Sequence, residues 1–168
     1  SFGAHTSQLI GGVKLRNPIT KRFQTYDDPR PDAFLLISPQ GTGDSLVDES
    51  YSGLTRPTLV ITGTNDKSPR NGKSYLWRRE VYDNAPDGDR FLLLVDKAYH
   101  GFGGITGARR FPSSGPANEK HVNYVKSASL AFWDVYLKQS KDAKAWLQQG
   151  AYDKVTGGAA KFSSKQGG

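Results

Sequence analysis

The sequence contains no cysteine. That excludes disulfides, thiolate catalysis and Cys-ligated zinc within these residues, and it leaves the redox compartment unreadable. Long apolar runs are missing too. Nothing approaches the roughly 18 to 20 consecutive apolar residues that a membrane-spanning helix needs, and the amino end does not resemble a signal peptide. Histidine is scarce, at three residues, which limits the candidates for general base or metal ligand. Basic residues are plentiful but never massed. The net charge is +7, yet lysines and arginines occur only as pairs such as Arg78-Arg79 and Arg109-Arg110, with no basic run interleaved with stacking aromatics. Nucleic acid is therefore not the expected partner, and the charge serves solubility.

What is present is core material for one domain. The 168 residues are 36% hydrophobic and 11% aromatic, with Phe, Tyr and Trp spread along the chain, which is too much for disorder. Three apolar segments, Ala33 to Ile37 (AFLLI), Thr58 to Thr62 (TLVIT) and Phe91 to Val95 (FLLLV), each run straight into a polar or Gly-rich loop. Continuous apolar strands suit a parallel sheet covered on both faces. Helical spacing falls around them. It predicts a short helix from Ser1 to about Val13, a second from Gly72 to Asn84 carrying Leu76, Trp77 and Val81, and a third from about His121 to Gln139. The third has the clearest stripe, with Val122, Val125, Ser129, Phe132, Trp133 and Tyr136 on one face. Such alternation is the mark of α/β layers. Residues 1–149 read as the structured part, and 150–168, rich in Gly, Lys and Ser, read as a loosely ordered tail.

In open parallel sheets ligands bind beyond the carboxyl ends of the strands. After TLVIT comes Gly63-Thr64-Asn65-Asp66, a tight loop delivering a carboxylate. After FLLLV comes Asp96-Lys97-Ala98-Tyr99-His100, followed by Gly101-Phe102-Gly103-Gly104. A histidine acting as base for a serine needs a carboxylate on its other ring nitrogen. The serine is Ser1: Ser1-Phe2-Gly3-Ala4-His5-Thr6 matches the second half of a Gly-x-Ser-x-Gly nucleophile elbow with a helix following directly. Asp96 is a rival acid, placed close to the strand end and better suited to turning the loop. His5 and His121 read as structural or solvent-exposed. Pro39-Gln40-Gly41-Thr42-Gly43 invites a phosphate-loop reading but lacks its Gly-Lys-Ser/Thr ending.

With SFGAHT, GTND and AYHGFGG in that order, residues 1 to 137 resemble the C-terminal half of an α/β-hydrolase, nearest to the dienelactone-hydrolase-like and platelet-activating-factor-acetylhydrolase-like esterases. The resemblance implies an α/β-hydrolase fold, of which the chain would supply only the C-terminal part of the mostly parallel sheet. It implies hydrolysis of a small or lipid-like carboxylic ester by Ser1 as nucleophile, Asp66 as acid and His100 as base, with no metal and no cofactor in the chemistry. It implies further that the Phe2 backbone N–H is one of two oxyanion donors, and that Phe2, Tyr99 and Phe102 flank the substrate. The strand feeding the elbow and the loop giving the second donor lie before the nucleophile in that fold, so an upstream segment is expected to complete the sheet. Two further readings fit the same residues: an N-terminal-nucleophile hydrolase in which the Ser1 amine is the base, and a non-catalytic binding module on the same scaffold. Acyl and alcohol specificity, localisation and oligomeric state have no signal in the sequence.

Overall fold

A computed structural model describes residues 1–165 other than Pro69, Thr106, 108–111 and Gln149. The Arg109-Arg110 pair and the last residues of the expected tail, 166–168, lie outside the described residues. Helix α1 (Phe2–Ile10) leads into a two-stranded antiparallel ribbon, β1 (Leu15–Arg16) and β2 (Phe23–Gln24). There follow β3 (Phe34–Ile37), a 3-10 turn (Asp48–Gly53), β4 (Thr58–Gly63), α2 (Tyr75–Asn84) and β5 (Arg90–Val95). A second 3-10 turn (Pro112–Ser114), α3 (Glu119–Lys138), α4 (Lys141–Gln148), α5 (Ala151–Thr156) and β6 (Ala160–Lys165) complete the chain.

The main sheet has the order β3-β4-β5-β6. Its first three strands are parallel, with Leu36 opposite Val60 and Val60 opposite Leu92, and β6 runs antiparallel to β5. The chain is thus mixed α/β with a mostly parallel four-stranded sheet and flanking helices. Its strands read as unbroken apolar runs because the pleat sends alternate residues to opposite faces and both faces are covered. Leu59, Ile61, Phe91, Leu93 and Val95 face a core built with Val125, Ala128 and Phe132 of α3, Leu147 of α4 and Tyr152 of α5. Phe34, Leu36, Val60 and Leu92 face the other core, with Ala4, Tyr51, Val81 and Tyr82.

The three strands and three helices foreseen in the sequence are present, with ends shifted by up to three residues. The expectation of a loosely ordered segment after residue 150 is corrected. Residues 151–156 form α5 and residues 160–165 pair along the whole of β5. Tyr152 is 2% exposed and its hydroxyl donates to the Tyr124 carbonyl of α3. Phe162 packs on Phe91 with ring centroids 5.6 Å apart. Glycine at 157 and 158, both at positive φ, makes the turn between helix and strand rather than slack chain. No helix among the described residues is long and apolar enough to cross a membrane.

Phe132 lies fully buried at the centre of the α3 face, whereas Leu130, two residues earlier, is 59% exposed. Phe132→Ala is expected to remove about 3–5 kcal/mol of stability and Leu130→Ala less than about 0.5, read from urea unfolding. Equal effects would mean that α3 presents a different face to the sheet.

Candidate active site

Ser38, Asp66 and His100 follow β3, β4 and β5 in turn, so three polar residues gather at the carboxyl edge of the parallel strands. The last two loops are drawn together where β4 ends. Gly63 packs so tightly on the next loop that a Cβ there would stand 2.3 Å from the Ala98 carbonyl oxygen. Asn65 N–H donates to that same oxygen at 3.0 Å, and the turn closes with Asp66 N–H on the Gly63 carbonyl at 2.8 Å. The GTND loop therefore starts with glycine because no side chain fits, and it delivers Asp66 inward, with no solvent exposure.

Both oxygens of the Asp66 carboxylate are occupied. Oδ1 lies 2.8 Å from His100 Nδ1 and 3.0 Å from Arg78 Nε. Oδ2 accepts from the Ser38 hydroxyl at 2.5 Å and from the Thr62 hydroxyl at 3.1 Å. An ionised carboxylate only accepts, so a neutral His100 facing it carries its proton on Nδ1, and Nε2 is the unprotonated ring nitrogen. Asp96 is engaged elsewhere, accepting from the Thr64 hydroxyl at 3.2 Å. Arg78, on α2, is 1% exposed, and burial draws its guanidinium below the ordinary value while Asp66 pulls it back up.

Ser1 is the N-cap of α1, and its side chain makes no capping hydrogen bond to the helix. The first turn closes through His5 N–H on the Ser1 carbonyl at 3.0 Å. Phe2, the first helical residue, has no intrahelical acceptor for its N–H. Ser1, Phe2 and Arg78 line one cleft of about 660 Å³, together with His5, Trp77 and the loop from Gln40 to Leu46. That size lies within the range of small-ligand sites. Among the described residues no hydrogen bond joins Ser1 to His100.

The aromatic residues divide. Phe2 borders the Ser1 cleft and is 71% exposed. Tyr99 lines a separate hollow of about 470 Å³ with Asp96, Asn118 and His121. Phe102 is wholly buried in the α3 core and has no surface to offer a substrate. His121 is near the start of α3, 3.2 Å from the Asn118 amide. His5 stands in the cleft wall with its Nδ1 buried and unpaired, and burial keeps its imidazole below the usual value. The Pro39 to Gly43 loop is fastened to α2 rather than open for phosphate: Thr42 N–H donates to Glu80 at 2.6 Å, and Trp77 Nε1 donates to the Thr42 carbonyl at 2.7 Å.

Sequence reasoning missed Ser38, Thr62 and Arg78. Arg78 had a signal, since it falls three residues before Val81 on the buried stripe of its helix, where a charge demands a partner. A scan against protein-family models matches none, and a search of curated proteins finds no similar sequence.

Ser38 is also held at φ 51°, a conformation a non-glycine residue keeps only when its surroundings enforce it. Ser38→Ala strips one donor from a buried carboxylate and is expected to cost about 1.5–3 kcal/mol by urea unfolding. A change under about 0.5 kcal/mol would show that the Ser38–Asp66 bond is not made in solution.

Proposed function

We propose that the chain carries the chemistry of a serine hydrolase of the α/β-hydrolase fold, cleaving carboxylic esters through an acyl-enzyme on Ser1. The observation that carries the reading is the 2.8 Å contact between His100 Nδ1 and the fully buried Asp66, delivered from adjoining parallel strand ends. A buried carboxylate on Nδ1 leaves Nε2 as the base and stabilises the imidazolium that forms when it takes a proton. Support comes also from Ser1, which stands at the N-cap of a helix with no capping bond from its side chain and shares a cleft with Arg78, itself paired with Asp66.

The steps follow. Ser1 Oγ attacks the ester carbonyl carbon as its proton passes to His100 Nε2. The tetrahedral oxyanion is met by the Phe2 N–H at the positive end of α1, with a second donor coming, in the fold the sequence resembles, from a loop preceding the nucleophile. His100 returns the proton to the departing alcohol, leaving the acyl group on Ser1. Water then repeats the attack, again with His100 as base, and releases the acid.

A second reading, a binding module that keeps the scaffold without turnover, is favoured by the lack of a Ser1–His100 hydrogen bond among the described residues. Hydrogen bonds between nucleophile and base often tighten only when substrate binds. The two readings differ in reactivity. A fluorophosphonate is expected to add covalently to Ser1 in the full-length protein, located by peptide mass mapping. Ser1→Ala is expected to abolish the adduct, and Asp66→Asn to lower turnover of an activated short-chain ester on the order of 10⁴-fold. A folded protein that forms no adduct and turns over no ester would leave the binding module as the reading to pursue.

A further inference from the structure

We propose that Arg78 is a positioning residue, one buried guanidinium that fixes the orientation of the Asp66–His100 pair by tying the end of β3 to the loop after β4. The proposal rests on the reading of Ser1, His100 and Asp66 as nucleophile, base and acid.

Arg78 comes from α2, outside the strand ends it joins, and its contacts use the planar fork of the guanidinium. Nη1 donates to the carbonyls of Ser38 and Pro39, each at 3.0 Å, which secures the end of β3. Nε faces Asp66 twice, at 3.0 Å from Oδ1 and 3.3 Å from the backbone carbonyl oxygen, which secures the loop after β4. Nη2 stands 3.5 Å from His100 Nδ1. Both of those nitrogens carry protons in the tautomer described above, so this approach is not a bond. It arises because Arg78 and His100 converge on the same oxygen.

That shared oxygen is what distinguishes a positioning role from simple charge balance. With Ser38 and Thr62 on Oδ2 and Arg78 on Oδ1, the carboxylate cannot rotate about its own axis without breaking a contact. Oδ1 is thereby aimed at His100, and the imidazole ring takes its direction from that aim. Without the guanidinium the buried carboxylate loses its cation and the contact that holds Oδ1 in place, so it turns away from that direction. That change leaves Nε2 misdirected, and a displacement near 1 Å at a reacting group is worth about 10²-fold in rate.

Arg78 also lines the cleft beside Trp77, whose ring centroid is 5.3 Å from the guanidinium carbon, so a direct role in gripping substrate is the competing account. The two accounts separate in kinetics. A substrate contact acts mainly on KM, whereas a misdirected base acts on kcat, because His100 serves both acylation and deacylation. Lysine keeps the positive charge near Asp66 but lacks the fork that reaches the Ser38 and Pro39 carbonyls, so it restores only part of the function.

The test measures kcat and KM on an activated short-chain ester for the full-length protein, Arg78→Met and Arg78→Lys, with active sites counted by fluorophosphonate titration. Arg78→Met is expected to lose about 10²-fold in kcat per titrated site with KM held within about threefold, and Arg78→Lys to recover about tenfold of that loss. Unchanged kcat in Arg78→Met, a loss confined to KM, or an Arg78→Lys variant no better than Arg78→Met would each overturn the proposal. If circular dichroism shows Arg78→Met unfolded, Arg78→Gln takes its place against the same outcomes. A parent protein that neither labels nor turns over ester removes the hydrolase reading itself, an outcome distinct from failure of the variants alone.

Discussion

A carboxylate with no access to water governs the arrangement of everything around it. Asp66 is fully buried at the carboxyl edge of the sheet, and an ionised group there is tolerable only when it is paired and hydrogen-bonded on both oxygens. Four side chains meet that requirement, and they come from four places: the first residue after β3, the penultimate residue of β4, helix α2 and the loop after β5. Meeting it fixes the relative positions of those elements far more narrowly than apolar packing would. Leucines and valines on a sheet face tolerate repacking, whereas a carboxylate with four donors tolerates little displacement of any of them.

Local irregularities of the strand ends follow from the same demand. Ser38 takes a left-handed conformation at the first residue after β3, and its backbone N–H still reaches the Ile61 carbonyl at 2.9 Å while its hydroxyl turns in to Asp66. Gly63 gives up its side chain so that the two following loops can touch. Lys97, at φ 56°, turns the chain just before Ala98 and sends Tyr99 outward and His100 back toward Asp66. Each feature is mildly unfavourable alone, and each is compensated by the polar cluster it completes.

The parts of this architecture that could be read from the sequence are those governed by short-range rules. AFLLI, TLVIT and FLLLV announced buried parallel strands because an interior sheet needs apolar residues on both faces, and the loops after them announced Asp66 and His100 because polar residues at strand ends have few other reasons to interrupt such runs. The sequence reading failed where the deciding partner is distant. Ala160 to Lys165 contains only two apolar residues and is flanked by glycines, and its strand exists because β5 offers a free edge to pair with. Phe102 was expected to flank the substrate, yet the turn directs its ring into the α3 core. Arg78 gives only a weak local sign, because one of a pair of arginines in an amphipathic helix is ordinarily solvated, and its burial is explained by distant partners, Asp66 and the Ser38 and Pro39 carbonyls.

The three histidines differ in what surrounds them, and burial is not the property that separates them. His5 lines the cleft but has its Nδ1 buried without a partner, so nothing sets which of its nitrogens carries the proton. His121 has an amide beside it, whose nitrogen can donate but cannot stabilise an imidazolium. His100 alone meets a buried anion, and that anion is itself locked by three other donors. At His100 the tautomer and the direction of the ring are both set by one carboxylate, because Ser38, Thr62 and Arg78 hold Asp66 from its other sides.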